Sequence, residues 1–334
     1  MERLNWATYK KLQNEMDQIN HNCKFSALTL LGLSYYGIKI RFEIVSYDDF
    51  KIIFFDLKFN RFISNDIDAI QKRVTQILEY GDHFILMPIF DPSKISVFDA
   101  VYCNFYKLKK MYPIKFATAI EGVNEEQLQL LKENLDYEVV YKWNANYLYH
   151  LEKLKTFSGK KMQKKRNHLN YFLNHYQNLV TVNKFNLTTD QNDILDFAWK
   201  SIVKNDEEFS LNEYIFLKNL LNHIDLTTMS GIVVREITTN QIIGFTIGYN
   251  HKKHYEIFFE KADHNWRGLF QFIIFQNLKI NNIDHQWIDR QDDMGQENLA
   301  ISKRSYYPEE IIQLNMIYIL DTPKNKIFFP ILEE

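Results

Sequence analysis

The order of secondary-structure signals in residues 187–320 constrains the fold most, because helical and extended stretches alternate there without long interruptions. Helical periodicity comes first, three closely spaced extended stretches follow, and helix, strand, helix and strand complete the order. The predicted elements are 187–205, 211–223, 229–236, 242–250, 254–262, 267–278, 285–290, 294–304 and 312–320. The three extended stretches form an antiparallel meander, so this half of the chain predicts a mixed, mainly antiparallel sheet flanked by helices.

This order is that of a GNAT-type acyltransferase domain, and the residues before 142 show a less distinct version of it. The helices predicted there are 6–19, a segment between Asn65 and Gly81, 97–110 and 125–135, and the strands are 35–45, 51–59, 84–90, 114–119 and 137–141. We therefore expect an α+β fold with α/β-type layers, built from two GNAT-like domains in tandem. The predicted domains are 1–145 and 146–334.

Composition agrees with a folded chain of two domains. The chain has 334 residues, of which 46% are apolar and 25% charged, and its formal net charge is −2. No apolar run reaches the ~18 residues of a membrane span, and the N-terminus has no signal-peptide core. Cys23 and Cys103 lie far apart, which indicates a reducing compartment and two core thiols. We expect a cytoplasmic protein with room for one basic patch.

One basic segment stands out against this near-neutral background. Residues 155–166 contain six cations and no acidic residue: Lys155, Lys160, Lys161, Lys164, Lys165 and Arg166. A helix with Ser158 as its N-cap places an apolar stripe on one face, formed by Met162, Leu169, Phe172, Leu173 and Tyr176. Lys165 lies within that stripe and Arg166 at its edge, so both either reach past the core into solvent or line a cleft. In a cleft, Lys161, Lys165 and Arg166 would bind phosphate or carboxylate.

The strand-to-helix junction at residues 260–268 is a second candidate site. In the GNAT architecture this loop points backbone N–H groups at a phosphate-bearing cofactor, with a helix N-terminus as the anion site. Arg267 and Gly268 are the candidate cofactor-binding residues. In the alternative interpretation, Asn265 only caps the helix and Gly268 only relieves crowding.

Two further polar segments follow the predicted strand that ends near residue 290. Arg290 and Asp292 lie at this strand end, where α/β folds form ligand sites, whereas Asp293 is placed to begin a capping box. Lys303 and Tyr306 lie at the end of the next helix. Tyr306 could donate a proton to a leaving group, so Asp292, Lys303 and Tyr306 are the candidate catalytic residues and Arg290 a candidate substrate-binding residue.

The sequence predicts no metal site. His251 and His254 flank a Lys-Lys pair without an accompanying carboxylate, which argues against a metal centre. We find no Ser-His-Asp context, no Walker-type glycine loop and no dinucleotide fingerprint.

Four stretches of the chain resemble the phosphatidylglycerol lysyltransferase C-terminal family. They are IEGVNEEQLQLLKENLDYEVVYKWNANYLYHL, NYLYHLEKLKTFSGKKMQKKRNHLNYF, FEKADHNWRG and DRQDDMGQENLAISKRSYYP. The resemblance extends from about Phe25 to Leu320 and is most specific in the second half. Gln291 and Asp292 depart from the family pattern, in which Glu and Gln are commoner.

The resemblance implies two GNAT-like domains and an aminoacyltransferase activity. The best-known relatives are soluble portions of membrane enzymes that transfer an aminoacyl group from aminoacyl-tRNA to a lipid headgroup, and Fem-type transferases are similar in architecture. We therefore expect an acyltransferase that uses aminoacyl-tRNA, needs no cofactor, and modifies an amine or hydroxyl on a small molecule, lipid headgroup or peptide. An acyl-CoA-dependent N-acyltransferase and a non-catalytic module that binds anionic ligands are the alternatives.

Overall fold

The computed structural model describes residues 1–19, 25–59, 83–112, 116–205, 208–223, 227–251 and 254–328. In chain order the helices are α1 (Tyr9–Met16), α2 (Ala27–Leu33), α3 (Val97–Met111), α4 (Glu125–Lys132), α5 (Leu151–Thr156), α6 (Gln163–His175), α7 (Leu187–Asn205), α8 (Glu208–His223), α9 (Leu269–Ile280), α10 (Glu297–Arg304) and α11 (Pro323–Phe328). The strands are β1 (Glu2–Arg3), β2 (Ile38–Ser46), β3 (Lys51–Phe59), β4 (His83–Leu86), β5 (Ile89–Phe90), β6 (Phe116–Val123), β7 (Tyr137–His150), β8 (Val180–Lys184), β9 (Met229–Glu236), β10 (Ile242–Asn250), β11 (Tyr255–Ala262), β12 (Trp287–Asp289) and β13 (Glu310–Ile319).

The chain divides into two compact units, Met1–Trp143 with Gln313–Glu334, and Asn144–Ile312. The first division lies two residues before the predicted boundary at 145. The C-terminal residues were assigned to the second domain by sequence, but from Gln313 onward they belong to the first unit. The reason is that β13 pairs with β6 through Asn315, Ile317 and Tyr318.

The first unit contains a sheet in the order β1-β2-β3-β4-β6-β13, and β5 pairs with β3. Of its pairs, β4–β6 is parallel and β2–β3 antiparallel. The apolar face of α3 packs on the core of this unit through Val101, Phe105 and Leu108, all of which are fully buried. The predicted helix between Asn65 and Gly81, like Cys23, lies outside the described residues.

The second unit contains a sheet in the order β7-β12-β11-β10-β9-β8. The meander β9-β10-β11 is antiparallel, as the sequence predicts. β12 then pairs with β11 in the parallel direction. The α+β, GNAT-like architecture with a mixed, mainly antiparallel sheet flanked by helices is therefore confirmed. Within the described residues, no helix is long and apolar enough to span a membrane.

The basic helix α6 packs on α9 through its predicted apolar stripe. Met162, Leu169 and Phe172 are buried, and the Phe172 ring stacks on Phe272 with centroids 4.4 Å apart. The start of the helix differs from the prediction, because a 3₁₀ turn over Lys160–Met162 precedes α6. Ser158 is exposed and α6 has no side-chain N-cap, since the chain first turns through positive φ angles at Phe157 and Gly159.

Candidate functional site

The centre of the candidate site is a buried ion pair between Arg290 and Glu260. Glu260 lies on β11, Arg290 follows β12, and Arg290 Nη2 donates to Glu260 Oε1 over 2.8 Å. Only 10% of the Arg290 side chain and 9% of the Glu260 side chain are exposed. Arg290 Nη1 and Glu260 Oε2 are also buried, and neither has a hydrogen-bond partner among the described residues. Each member of the pair therefore has one hydrogen-bonding atom that no described residue satisfies, which is unusual for buried polar groups.

Two tyrosine rings enclose the guanidinium of Arg290. Its Cζ lies 4.6 Å from the ring centroid of Tyr306 and 5.8 Å from that of Tyr149, within the range of cation–π attraction. Burial raises the pKa of Tyr306 to about 12, so its hydroxyl keeps the proton at neutral pH. Gln271 Nε2 donates to this hydroxyl over 2.7 Å, which leaves the Tyr306 O–H available as a donor.

Lys165 joins the same cluster from α6. Its Nζ lies 3.9 Å from the centroid of the Tyr306 ring, so its place in the apolar stripe is explained by contact with an aromatic face. Burial, and then the nearby positive charge of Arg290, lower the pKa of Lys165 to about 8. The structure thus brings together three of the predicted site residues, Lys165, Arg290 and Tyr306.

Lys303 has a different environment from the one expected of a catalytic lysine. It is buried, and its Nζ donates to the backbone carbonyl oxygens of Arg290 over 2.5 Å, of Gln291 over 3.2 Å and of Asp292. An ammonium group has three N–H donors, and all three are used here. Lys303 therefore stabilises the loop that carries Arg290, and its contacts do not present a free ammonium group to a substrate.

The two aspartates of this loop differ in their surroundings. Burial raises the pKa of Asp292 to about 6, so this carboxyl can gain or lose a proton near neutral pH. Asp293 does not form the predicted capping box; it accepts hydrogen bonds from Tyr147 Oη over 2.6 Å and from Asn144 Nδ2 over 2.8 Å. These donors lower the pKa of Asp293 against the opposing effect of burial, and Gln296 begins α10 without a side-chain capping bond.

The structure places Arg166 away from the Arg290 cluster. Its Nη1 donates to the carbonyl oxygens of Phe157 and of Gly159, the second over 2.6 Å, and so stabilises the turn between α5 and α6.

Three other cations of the basic segment are exposed to solvent. Lys160, Lys161 and Lys164 form no ion pair with any residue that the structure describes. Lys161 Nζ lies 5.7 Å from the Tyr307 ring centroid. These three lysines, which we call the basic rim, form a solvated positive surface.

Gly268 and Arg267 make contacts with α6. Gly268 has φ +91°, and a Cβ atom there would lie 2.1 Å from the carbonyl oxygen of His168. The backbone of α6 thus fills the space that a glycine in this loop would otherwise leave open to a phosphate. The Cζ of exposed Arg267 lies 4.4 Å from the Tyr171 ring centroid. This geometry matches the interpretation in which Gly268 relieves crowding.

The sequence does not single out Glu260, Gln271 or Tyr149, although all three complete the cluster. One signal for Glu260 was available. Glu260 lies in the aromatic stretch YEIFFEK, where a buried carboxylate requires a cationic partner. Arg290, at the end of the next predicted strand, is a candidate for that partner. Outside this cluster, His254, Glu256 and Asp289 place one potential metal-ligand atom each within 4.8 Å of one another.

The chain has a GNAT-like fold, and the structure of FemX shares that fold. The structure of FemX aligns with 98% of this chain and 99% of its own length at a TM-score of 0.61 and 11% identity. A conserved protein of unknown function from Bacteroides thetaiotaomicron aligns with a TM-score of 0.70 at 20% identity, over 95% of this chain and 98% of that one. The C-terminal domain of a putative lysylphosphatidylglycerol synthetase from Agrobacterium fabrum gives 0.56 at 12% identity, over 97% and 95%.

The family follows from the sequence match. Residues 84–318 match the family model described as phosphatidylglycerol lysyltransferase, C-terminal, and the chain belongs to that family. An uncharacterized protein of Mycoplasmoides gallisepticum is 29% identical over 328 residues, which cover 96% of this chain and 100% of that protein.

Proposed function

We propose that the protein is an aminoacyltransferase that takes its acyl group from aminoacyl-tRNA and passes it to an amine or hydroxyl. The observation that carries the proposal is the buried pair Arg290–Glu260, in which one hydrogen-bonding atom of each partner is not satisfied by any described residue. The basic rim belongs to the same unit. Membership of the lysyltransferase family and the FemX-like fold support the same class of reaction.

In this reaction the acceptor attacks the carbonyl carbon of the aminoacyl ester. A new C–N or C–O bond forms, the ester C–O bond to the ribose breaks, and the acceptor loses one proton while the ribose oxygen gains one. Arg290 Nη1 would donate to the developing oxyanion, and Glu260 Oε2 would accept from the substrate amine. Asp292, with a pKa of about 6, is the candidate base, and the Tyr306 hydroxyl the candidate proton donor to the leaving ribose oxygen.

The basic rim would bind the phosphates of the tRNA acceptor end. Lys160, Lys161 and Lys164 are exposed and form no ion pair with a carboxylate in the described part of the chain, so they can exchange counterions with a polyanion. Acyl-CoA is the alternative donor. The packing of α6 against Gly268 weighs against it, because the His168 carbonyl occupies the space above that glycine.

The test is a binding titration at two ionic strengths. We expect the affinity for aminoacyl-tRNA to fall steeply with salt, with a slope of log K against log salt of about −0.7 to −0.9 for each phosphate contact. Replacing Lys161 and Lys164 with Ala should reduce that slope by about 1.4–1.8 in total. Lys279→Ala is the matched control, because Lys279 is an exposed lysine of the same unit outside the rim.

The proposal fails if the protein binds no tRNA even at low salt. Micromolar binding of acetyl-CoA in the same titration would then establish the acyl-CoA alternative. Binding of both anions without transfer of a labelled aminoacyl group to amine or hydroxyl acceptors would support the non-catalytic module.

A further inference from the structure

A second cluster of polar groups lies where β11 and β12 run parallel. Glu256 on β11 is the register partner of Asp289 on β12. His254 lies in the bend directly before β11, two residues before Glu256. The parallel pairing therefore brings an imidazole and two carboxyl groups to one place, which sequence spacing alone does not reveal.

The distances in this cluster are close to those of a metal site. One nitrogen or oxygen from each of the three residues lies within 4.8 Å of the others, and His254 Nε2 is 3.8 Å from Asp289 Oδ2. Two ligands that bind one transition metal at about 2.1 Å each can be up to about 4.2 Å apart. Side-chain adjustments of less than about 1 Å would therefore allow all three to bind a single ion.

Neighbouring donors hold both carboxyl groups in place. Gln291 donates from its backbone N to Asp289 Oδ1 over 2.7 Å and from its Nε2 to Glu256 Oε1 over 3.1 Å. Gln291 has φ +55°, a left-handed conformation that is rare for residues with a side chain. Asn146 Nδ2 donates to Asp289 Oδ2 over 2.6 Å. Such outer contacts are typical of metal sites, where they fix the orientation of the ligands.

The electrostatics of the cluster favour a cation. Glu256 and Asp289 are both 1% exposed and adjacent, so two negative charges there would repel each other in a medium of low polarity. The buried Asn146 Oδ1 lacks a hydrogen-bond partner within the described part of the chain, and its amide lies against Asp289. It is a candidate for a fourth ligand if the amide turns.

We propose that His254, Glu256 and Asp289 bind one divalent transition-metal ion, which joins β11 to β12 beside the loop that carries Arg290. One imidazole with carboxylates suits Zn²⁺, Mn²⁺ or Co²⁺ better than Ca²⁺ or Mg²⁺, which prefer oxygen ligands alone. The ion has a structural role in this inference, which is independent of the proposed transfer reaction.

The experiment is a metal titration of the whole protein after treatment with EDTA. We expect one equivalent of Co²⁺ to give visible d–d absorption bands, Zn²⁺ to displace it, and Zn²⁺ to raise the melting temperature. His254→Gln and Asp289→Asn should each weaken Zn²⁺ binding by more than 10-fold. The exposed residues His264 and Asp284 provide matched controls, because His264→Gln and Asp284→Asn should leave binding unchanged.

Two results would overturn the inference. One is the absence of saturable Zn²⁺ or Co²⁺ binding by the unsubstituted protein at millimolar metal. The other is binding that His254→Gln leaves intact, which would place the metal elsewhere. His254 is only partly buried, so this variant decides the question even if Asp289→Asn does not fold.

Discussion

Replacing Glu260 with Gln tests whether the Arg290–Glu260 pair is buried and charged. The substitution keeps the shape and an acceptor for Arg290 Nη2 but leaves the guanidinium without a counter-charge. Removing one partner of a buried pair destabilises a protein by about 3–5 kcal/mol. The rings of Tyr306 and Tyr149 still compensate part of the charge, so we expect a loss near the lower limit, about 3 kcal/mol.

Differential scanning calorimetry measures this loss. For a unit of this size, about 3 kcal/mol corresponds to a decrease in Tm of about 6–12 °C. Glu213→Gln is the control, because the Glu213–Lys261 pair has the same ion-pair chemistry but 32% of each side chain exposed. An exposed pair is worth about 0–1 kcal/mol, and its loss should lower Tm by no more than about 4 °C.

The reasoning is refuted if Glu260→Gln and Glu213→Gln lower Tm equally. A double variant adds a second criterion. Arg290→Met combined with Glu260→Leu removes both charges and fills the space with apolar atoms. The double variant should therefore be more stable than Arg290→Met alone or Glu260→Leu alone. If the double variant is less stable than the sum of the two single losses predicts, the pair contributes through something other than charge.

Three further predictions concern the lysines and the arginine around the site. Lys303→Met should lower the free energy of unfolding in urea by about 3 kcal/mol or more, because buried carbonyl oxygens left unsatisfied cost about 1–3 kcal/mol each. A decrease below about 1 kcal/mol would contradict the contacts between Lys303 and the loop. Arg166→Ala should lower Tm while leaving the affinity for tRNA within about 2-fold, because Arg166 binds backbone oxygens and is not part of the basic rim. Unchanged stability with loss of tRNA binding would instead show that Arg166 binds the tRNA. The ¹³C-dimethylated Nζ of Lys165 should titrate near pH 8 by NMR, and a Lys165 resonance that does not change between pH 7 and pH 9 would contradict the burial of this ammonium group.

The same shift of Lys165 gives a sign for the pH dependence of stability. Folding lowers the pKa of this lysine from 10.5 to about 8, so between these values the unfolded chain binds more protons. The penalty for burying Lys165 is therefore complete below about pH 8 and disappears as the pH rises towards 10.5. Lys165→Met should remove this contribution, which urea unfolding at pH 7 and pH 9 can measure.

The sequence predicted the second sheet well because its elements have strong periodicity. The meander and the helix after it contain long apolar runs with the right spacing, and the stripe of α6 is buried as expected. Arg290 and Tyr306 could be proposed as candidates because polar and aromatic residues accumulate at the end of a strand and of a helix. The pairing of β13 with the first unit was not predictable, because a strand carries no local signal for its distant partner.

The environments of Arg166 and Lys303 could not be read from the sequence for a different reason. Both side chains bind backbone carbonyl oxygens, and every residue has such an oxygen. A cation that pairs with a carboxylate has a complementary residue type elsewhere in the chain, whereas a cation that pairs with backbone has none. Charge patterns alone therefore indicated an anionic ligand for these two residues and not the backbone oxygens that they bind.

The arrangement around Lys303 resembles the coordination of an ion more than an ordinary side-chain contact. Three successive carbonyl oxygens converge on the ammonium group of Lys303, as carbonyl oxygens do around a potassium ion that has lost its hydration shell. Here, however, the cation is attached to α10 by four methylene groups. An arginine could not replace it, because a planar fork does not offer three donors to one small cage. Acetylation of this lysine would remove both the charge and two of the three N–H groups, so the shape of the loop depends on a single unmodified amine.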